Sequence, residues 1–230
     1  MRQIWLALAL LLCGCSGFAQ SVSPVIVQYK GKASGRFALT NNTLEPMAVV
    51  LEPRSFSISA DGNGIYRPLD SDIHLQLSTM SFVVDPGQTY YVFYKATADK
   101  LPAWFTVYAI FSSVHHREGL DVRILLPHTV YIYPKKPLSK KNEVAVQDVV
   151  YRPGDQQITC DLTNPGPDLE RVEVVNIAYA NKSVTAAGFP LLPGGRRHFQ
   201  LKWTEAQPPR SISFRFQNST LQEPISIGSQ

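Results

Sequence analysis

Cys160 is the side chain outside the N-terminal segment best suited to act as a nucleophile, and its neighbours argue against that use. A nucleophile needs a base and an orienting group beside it. Ile158, Cys160 and Leu162 instead alternate along one apolar face, where burial raises a thiol's pKa and makes it inert. His115 and His116 are adjacent, so on a strand they point to opposite faces and do not share a metal. His74, His128 and His198 are scattered, with no cysteine or carboxylate at ligand spacing. Aspartates and glutamates occur in both halves, but no motif pairs any two of them for glycosidic chemistry. There is no Gly-x-Ser-x-Gly, no phosphate-cradling glycine loop and no His-Glu-x-x-His. The expectation is a protein without catalytic residues, metal or cofactor. A cryptic hydrolase would have to be found by screening.

The elements that carry these residues repeat. Phe37-Ala38-Leu39-Thr40-Asn41-Asn42-Thr43-Leu44-Glu45-Pro46 is echoed by Cys160-Asp161-Leu162-Thr163-Asn164-Pro165-Gly166-Pro167. Downstream, Asp85-Pro86-Gly87 precedes the strand-like Tyr90 to Tyr94, and Leu192-Pro193-Gly194 precedes His198 to Trp203. Period-two alternation recurs at Val25, Val27 and Tyr29, at Phe105, Val107, Ala109 and Phe111, at Leu120, Val122 and Ile124, and at Ile212, Phe214 and Phe216. Turn signals punctuate these runs at Asp61-Gly62-Asn63-Gly64 and Pro153-Gly154-Asp155. Short strands at this spacing, with no convincing amphipathic helix, predict an all-β chain of two tandem β-sandwiches.

The ends set the compartment. Met1-Arg2-Gln3, the apolar run Ile4 to Leu12 and the small residues Gly17 and Ala19 form a secretory signal, residues 1–19, cleaved after Ala19. A second route is open, because Leu12-Cys13-Gly14-Cys15 resembles a lipobox that would lipidate Cys15 and tether the protein to a membrane. What remains suffices for two domains of about 100 residues each. Cys13 and Cys15 belong to the signal region, which leaves Cys160 without an internal disulfide partner. Removing Arg2 leaves 21 basic against 18 acidic residues, too mild an excess to predict nucleic-acid binding. Pro134-Lys135-Lys136-Pro137 and Lys140-Lys141-Asn142 mark a short linker, either a solvated hinge or a docking patch for an acidic partner. The expected organisation is 20–134, a linker at 135–142, and 143–230.

These pieces together resemble the periplasmic pilus-assembly chaperones of the PapD type over nearly the whole mature chain, from about Val22 to Ile227. Leu39-Thr40-Asn41, Asp85-Pro86-Gly87, Leu101-Pro102-Ala103-Trp104-Phe105 and Thr129-Val130-Tyr131-Ile132-Tyr133-Pro134 fall in that family's order in the first domain. Leu162-Thr163-Asn164-Pro165 and Leu191-Leu192-Pro193 do so in the second. The resemblance implies two immunoglobulin-like domains in an L-shaped arrangement, located in the periplasm. It implies strand-deficient secreted pilin-like subunits as partners, with an outer-membrane usher as a further one. The last strand of the first domain would lie in the subunit's open groove, a form of β-strand addition. Leu120, Val122 and Ile124, with Leu126 continuing the set, fall where the donor residues would be. The same alternation also fits packing in the protein's own core.

The resemblance breaks at the anchor for the subunit's terminal carboxylate. Ser21 to Tyr29 holds no arginine or lysine, and Thr129 stands about where the family has a lysine. Lys30, Lys32, Arg36 and Arg123 are the substitutes at hand, none of them aligned. Pro127 is expected to interrupt the last strand at the cost of a ladder bond. The rival expectation is an envelope structural or adhesive sandwich protein, soluble or lipid-anchored at Cys15. In it Tyr90, Tyr91, Tyr131 and Tyr133 either stack on sugars or fill core and cross-strand positions.

Overall fold

The computed structural model describes residues 20–114, 122–139 and 143–228. The expected signal segment with Cys15, the histidine pair 115–116, Leu120 and the linker residues Lys140, Lys141 and Asn142 lie outside the described residues. In the first half the strands are β1 (Ser21–Ser23), β2 (Ile26–Lys30), β3 (Ala33–Thr40), β4 (Met47–Ile58), β5 (Gly64–Pro68), β6 (Ile73–Leu77), β7 (Ser81–Val84), β8 (Thr89–Ala98), β9 (Ala103–Ser113) and β10 (Ile124–Tyr133). The second half adds β11 (Ala145–Arg152), β12 (Gln157–Thr163), β13 (Glu170–Arg171), β14 (Val174–Tyr179), β15 (Lys182–Ala187), β16 (Pro190–Leu191), β17 (Arg196–Lys202), β18 (Ser211–Arg215), β19 (Thr220–Pro224) and β20 (Ser226–Ile227).

Strands β1-β3-β8-β6 form one sheet of the first sandwich, and β2-β10-β9-β4-β5, with β7 beside β4, form the other. Alternation explains the layering: on β9, Ala103, Phe105, Val107, Ala109 and Phe111 are buried, and they meet Phe37, Leu39 and Val92 of the facing sheet in one core. The N-terminal strand changes sheets. β1 pairs antiparallel with β3, and after Pro24 the chain pairs parallel with β10 as β2. In the second sandwich β17-β12-β11-β20 face β15-β14-β18-β19, with β13 and β16 forming a short ribbon. Their core gathers Cys160, Leu162, Val175, Ile177, Trp203 and Phe214. Both cores are separate, and a third cluster of Phe56, Tyr131, Leu169 and Leu192 joins the sandwiches.

The repeated asparagine is the device that both sandwiches share. Asn41 is fully buried. Its side-chain amide donates to the carbonyls of Glu45 (2.8 Å) and Val84 (2.9 Å), while its Oδ1 accepts from the Thr43 amide (3.0 Å). Asn164 does the same work with the carbonyls of Asp168 (2.8 Å) and Leu191 (3.0 Å) and the Gly166 amide (3.2 Å). Each clamps the loop leaving its own strand to the strand that precedes the Pro-Gly turn. A side chain able to donate and accept in both directions is needed there, because the backbone groups it satisfies are buried.

Candidate functional site: the open edge of the last strand and the cleft beside it

Strand β10 pairs with β9 from Ile124 to Ile132, but with β2 only from Thr129 to Tyr133. Among the described residues no strand covers its other edge ahead of Thr129. The Thr129 amide donates to the Val25 carbonyl at 2.7 Å, so the odd-numbered amides of β10 face the β2 side and the even-numbered ones face β9. Pro127 therefore has its missing N–H on the open edge. The strand runs straight through it with Pro127 opposite Tyr108, and the interruption expected from sequence does not occur. Proline at an edge removes no ladder bond.

The expected donor residues distribute along this edge. Val122 is exposed just ahead of β10. Ile124 and Leu126 are half-buried at the rim of the first core, pointing to its face of the sheet. Leu125, not among the expected residues, is 52 % exposed on the opposite face. Farther along the strand, His128 is fully buried. Its Nδ1 lies 2.6 Å from the Pro24 carbonyl and its Nε2 3.2 Å from the Tyr94 hydroxyl. With a carbonyl at Nδ1, that nitrogen carries a proton and donates to Pro24. Burial holds its pKa below the ordinary histidine value. It stacks on Phe37 with centroids 4.4 Å apart, so the point where the N-terminal chain changes sheets is pinned to the core.

The candidate anchors do not come together. Arg36 is on β3, its guanidinium 4.7 Å over the Tyr91 ring, and Arg123 sits just ahead of β10. Lys30 alone lines the cleft between the sandwiches, a cavity of about 500 Å³ that also takes in Tyr133, Lys135, Asp168, Glu170 and Arg171. Arg171 was not anticipated, because it comes from the other sandwich through β13. Its guanidinium lies 6.0 Å over the Tyr131 ring, and its buried Nη1 has no hydrogen-bond partner. Asp168 is already occupied, accepting from the amides of Leu138 and Ser139 at 3.0 and 2.7 Å. Burial, with Asp168 nearby, raises the pKa of Glu170. The cleft thus holds an unsatisfied cationic donor next to carboxylates that are either engaged or held toward neutrality.

The side chains weighed for chemistry sit in structural roles. Cys160 is buried and its pKa is pushed up to about 12 by burial. His74 pairs with Asp99 at 2.9 Å and His198 with Asp161 at 2.8 Å, each on the surface of its own sandwich. No group of metal-ligating residues gathers among the described residues. Tyr131 is buried between the sandwiches, whereas Tyr91 stands out from its sheet at 48 % exposure.

Two sandwiches, with a first strand that changes sheets and a last strand with an open edge, make a fold that this chain shares with solved fimbrial chaperones. The chain is similar to the SafB chaperone of Salmonella enterica, solved with the SafA pilin, at TM-score 0.56 and 12% identity over 92% of this chain and 98% of that one. It is similar to the E. coli chaperone DraB at TM-score 0.53 and 14% identity, covering 90% and 97%. It is similar to the class 5 fimbriae chaperone CfaA at TM-score 0.52 and 11% identity, covering 90% and 99%. At such identities the likeness is one of fold. No protein-family model matches the sequence, and no curated protein matches it either.

Proposed function

We propose that this protein is an assembly chaperone of the periplasm that holds secreted, strand-deficient pilin-like subunits by adding β10 to their open sheets. The observation that carries this reading is the open edge of β10 ahead of Thr129, bordered by Ile124 and Leu126 on the core side and preceded by the exposed Val122. An incoming strand finds backbone groups to pair with, and its unfilled core finds apolar side chains spaced two residues apart. Each such side chain fully buried in a partner contributes roughly 1.5–3 kcal/mol. A subunit chain that runs on past Thr129 over β2 enters the cleft, where Lys30 and the unsatisfied Arg171 take its terminal carboxylate. Non-enzymatic holding agrees with the inert setting of Cys160, and the SafB chaperone, solved with the SafA pilin, supports the partner class.

The test is co-purification of the tagged protein with its subunit, using the double variant Val122→Asp/Ile124→Asp. Val122 is exposed and Ile124 lies at the rim of the core, so the variant is expected to keep the circular-dichroism spectrum and unfolding midpoint of the parent while losing the subunit. A folded variant that retains normal amounts of subunit would rule out donation through this segment. Arg171→Ala with Lys30→Ala is expected to weaken capture more than about tenfold without abolishing it, each charge-assisted hydrogen bond being worth roughly 1.5–3 kcal/mol.

A further inference from the structure

A second surface lies on the other sheet of the first sandwich. Alternation turns Ser34, Arg36, Ala38 and Thr40 of β3 and Tyr91, Phe93, Lys95 and Thr97 of β8 away from the core. Register sets Arg36 beside Phe93, Ala38 beside Tyr91 and Ser34 beside Lys95. Tyr91 and Phe93 are 48% and 54% exposed. Lys32 and Lys95 border a shallow hollow of about 700 Å³ with His74, Gln76 and Thr97. Strands β1, β3, β6 and β8 contain no aspartate or glutamate. Asp99, just beyond β8, is 2.9 Å from His74. The face is thus the exposed ring of Phe93 and the Tyr91 ring under Arg36, set among Lys32 and Lys95, with no carboxylate in its strands.

We propose that this face rests on an anionic phospholipid surface. Aromatic rings beside lysines and arginines suit the headgroup layer, where the ring sits at the apolar boundary and the cations meet phosphate. A glycan is the poorer fit, because Arg36 already covers the Tyr91 ring that a sugar would stack on. The approach of the chain supports the same side: β1 is the edge strand of this sheet, and Cys15 precedes Gln20 by five residues. Extended chain of that length reaches at most about 18 Å, so a lipid on Cys15 would hold the edge of this sheet within that distance of the bilayer. The face also acts without the lipid, since its charges and rings belong to the folded domain. It is independent of the β10 edge and stands whether or not a subunit binds there.

The experiment is sedimentation of the chain from Gln20 onward with vesicles of phosphatidylglycerol and phosphatidylethanolamine, against vesicles of phosphatidylcholine. Binding to the anionic vesicles alone, weakened by salt, is expected. It should fall at least about tenfold in Arg36→Glu/Lys95→Glu, as two reversed cations require, and also fall in Phe93→Ser. All variants should keep the parent's unfolding midpoint and, by placement, its capture of subunit. Absence of binding to either vesicle would overturn the proposal, as would binding unchanged in the folded variants. Capture of an acidic soluble protein through this face, with no vesicle binding, would overturn it as well.

Discussion

At the scale of single residues, the two clamping asparagines and His128 carry the local argument. Truncating Asn41 or Asn164 to alanine removes the side-chain amide that ties the loop carbonyl to the strand carbonyl, and should cost about 1–3 kcal/mol in each case. Urea unfolding of each variant checks this, and a cost near zero would mean that water enters the loop and replaces the amide. For His128 the sign follows from burial. The folded chain holds it neutral, with a pKa below the ordinary 6.5, while the unfolded chain does not. Unfolded protein therefore binds the extra proton, so stability is fully present above that value and is lost as pH falls through it. The urea midpoint of the parent should drop between about pH 7.5 and about pH 5.5, and the drop should shrink in His128→Gln. The asparagine repeat was legible in sequence because its turn chemistry recurs with the same neighbours. The role of His128 was not, because Pro24, Tyr94 and Phe37 reach it from three distant strands.

At the scale of the strand, β10 shows what alternation can and cannot say. Spacing correctly put Ile124 and Leu126 on one face, but both core packing and donation require that face, and the half-burial of these residues at the rim is compatible with either. Pro127 was misread for a physical reason: the missing N–H costs a bond only on the paired side, and which side it faces depends on the register with β9 and β2. Since it faces the open edge, Pro127→Val should leave stability nearly unchanged and supply one more amide to a bound strand. Subunit affinity should rise about two- to tenfold, the worth of one net hydrogen bond. Calorimetric titration of the subunit, released from its complex and kept soluble, would measure it. Weaker binding by the valine variant would mean that no strand pairs at this position.

At the scale of the molecule, the relation of the two sandwiches is set by contacts that no sequence window contains. The Phe56, Tyr131, Leu169 and Leu192 cluster joins them, and the His198 amide donates to the Ala60 carbonyl at 2.7 Å. At Gly62, in the adjoining turn, φ is +85°, and a Cβ there would fall into the Arg197 guanidinium. Gly62→Ala should therefore loosen the joint, both by backbone strain and by displacing Arg197. Leu192→Asp should loosen it more strongly by burying a charge in the cluster. Calorimetry is expected to show one transition for the parent and two for Leu192→Asp. A single transition in both would mean that the sandwiches unfold together for another reason. Arg171 escaped notice for the same long-range reason: its meaning appears only when β13 of one sandwich meets β2 and Tyr133 of the other. The two-sandwich fold itself was legible, since repeats, alternation and turn signals all agreed.

The central claim is that β10 is lent to a partner. The most direct measurement is affinity purification of the tagged protein and of its Val122→Asp/Ile124→Asp variant from the host envelope, with amide exchange read on any complex obtained. Strand donation requires a near-stoichiometric small secreted β-protein with the parent and none with the folded variant, and strong protection of the Leu125 amide in the complex. A protein that emerges alone, or a partner that both forms hold equally while the Leu125 amide stays open to exchange, would contradict it.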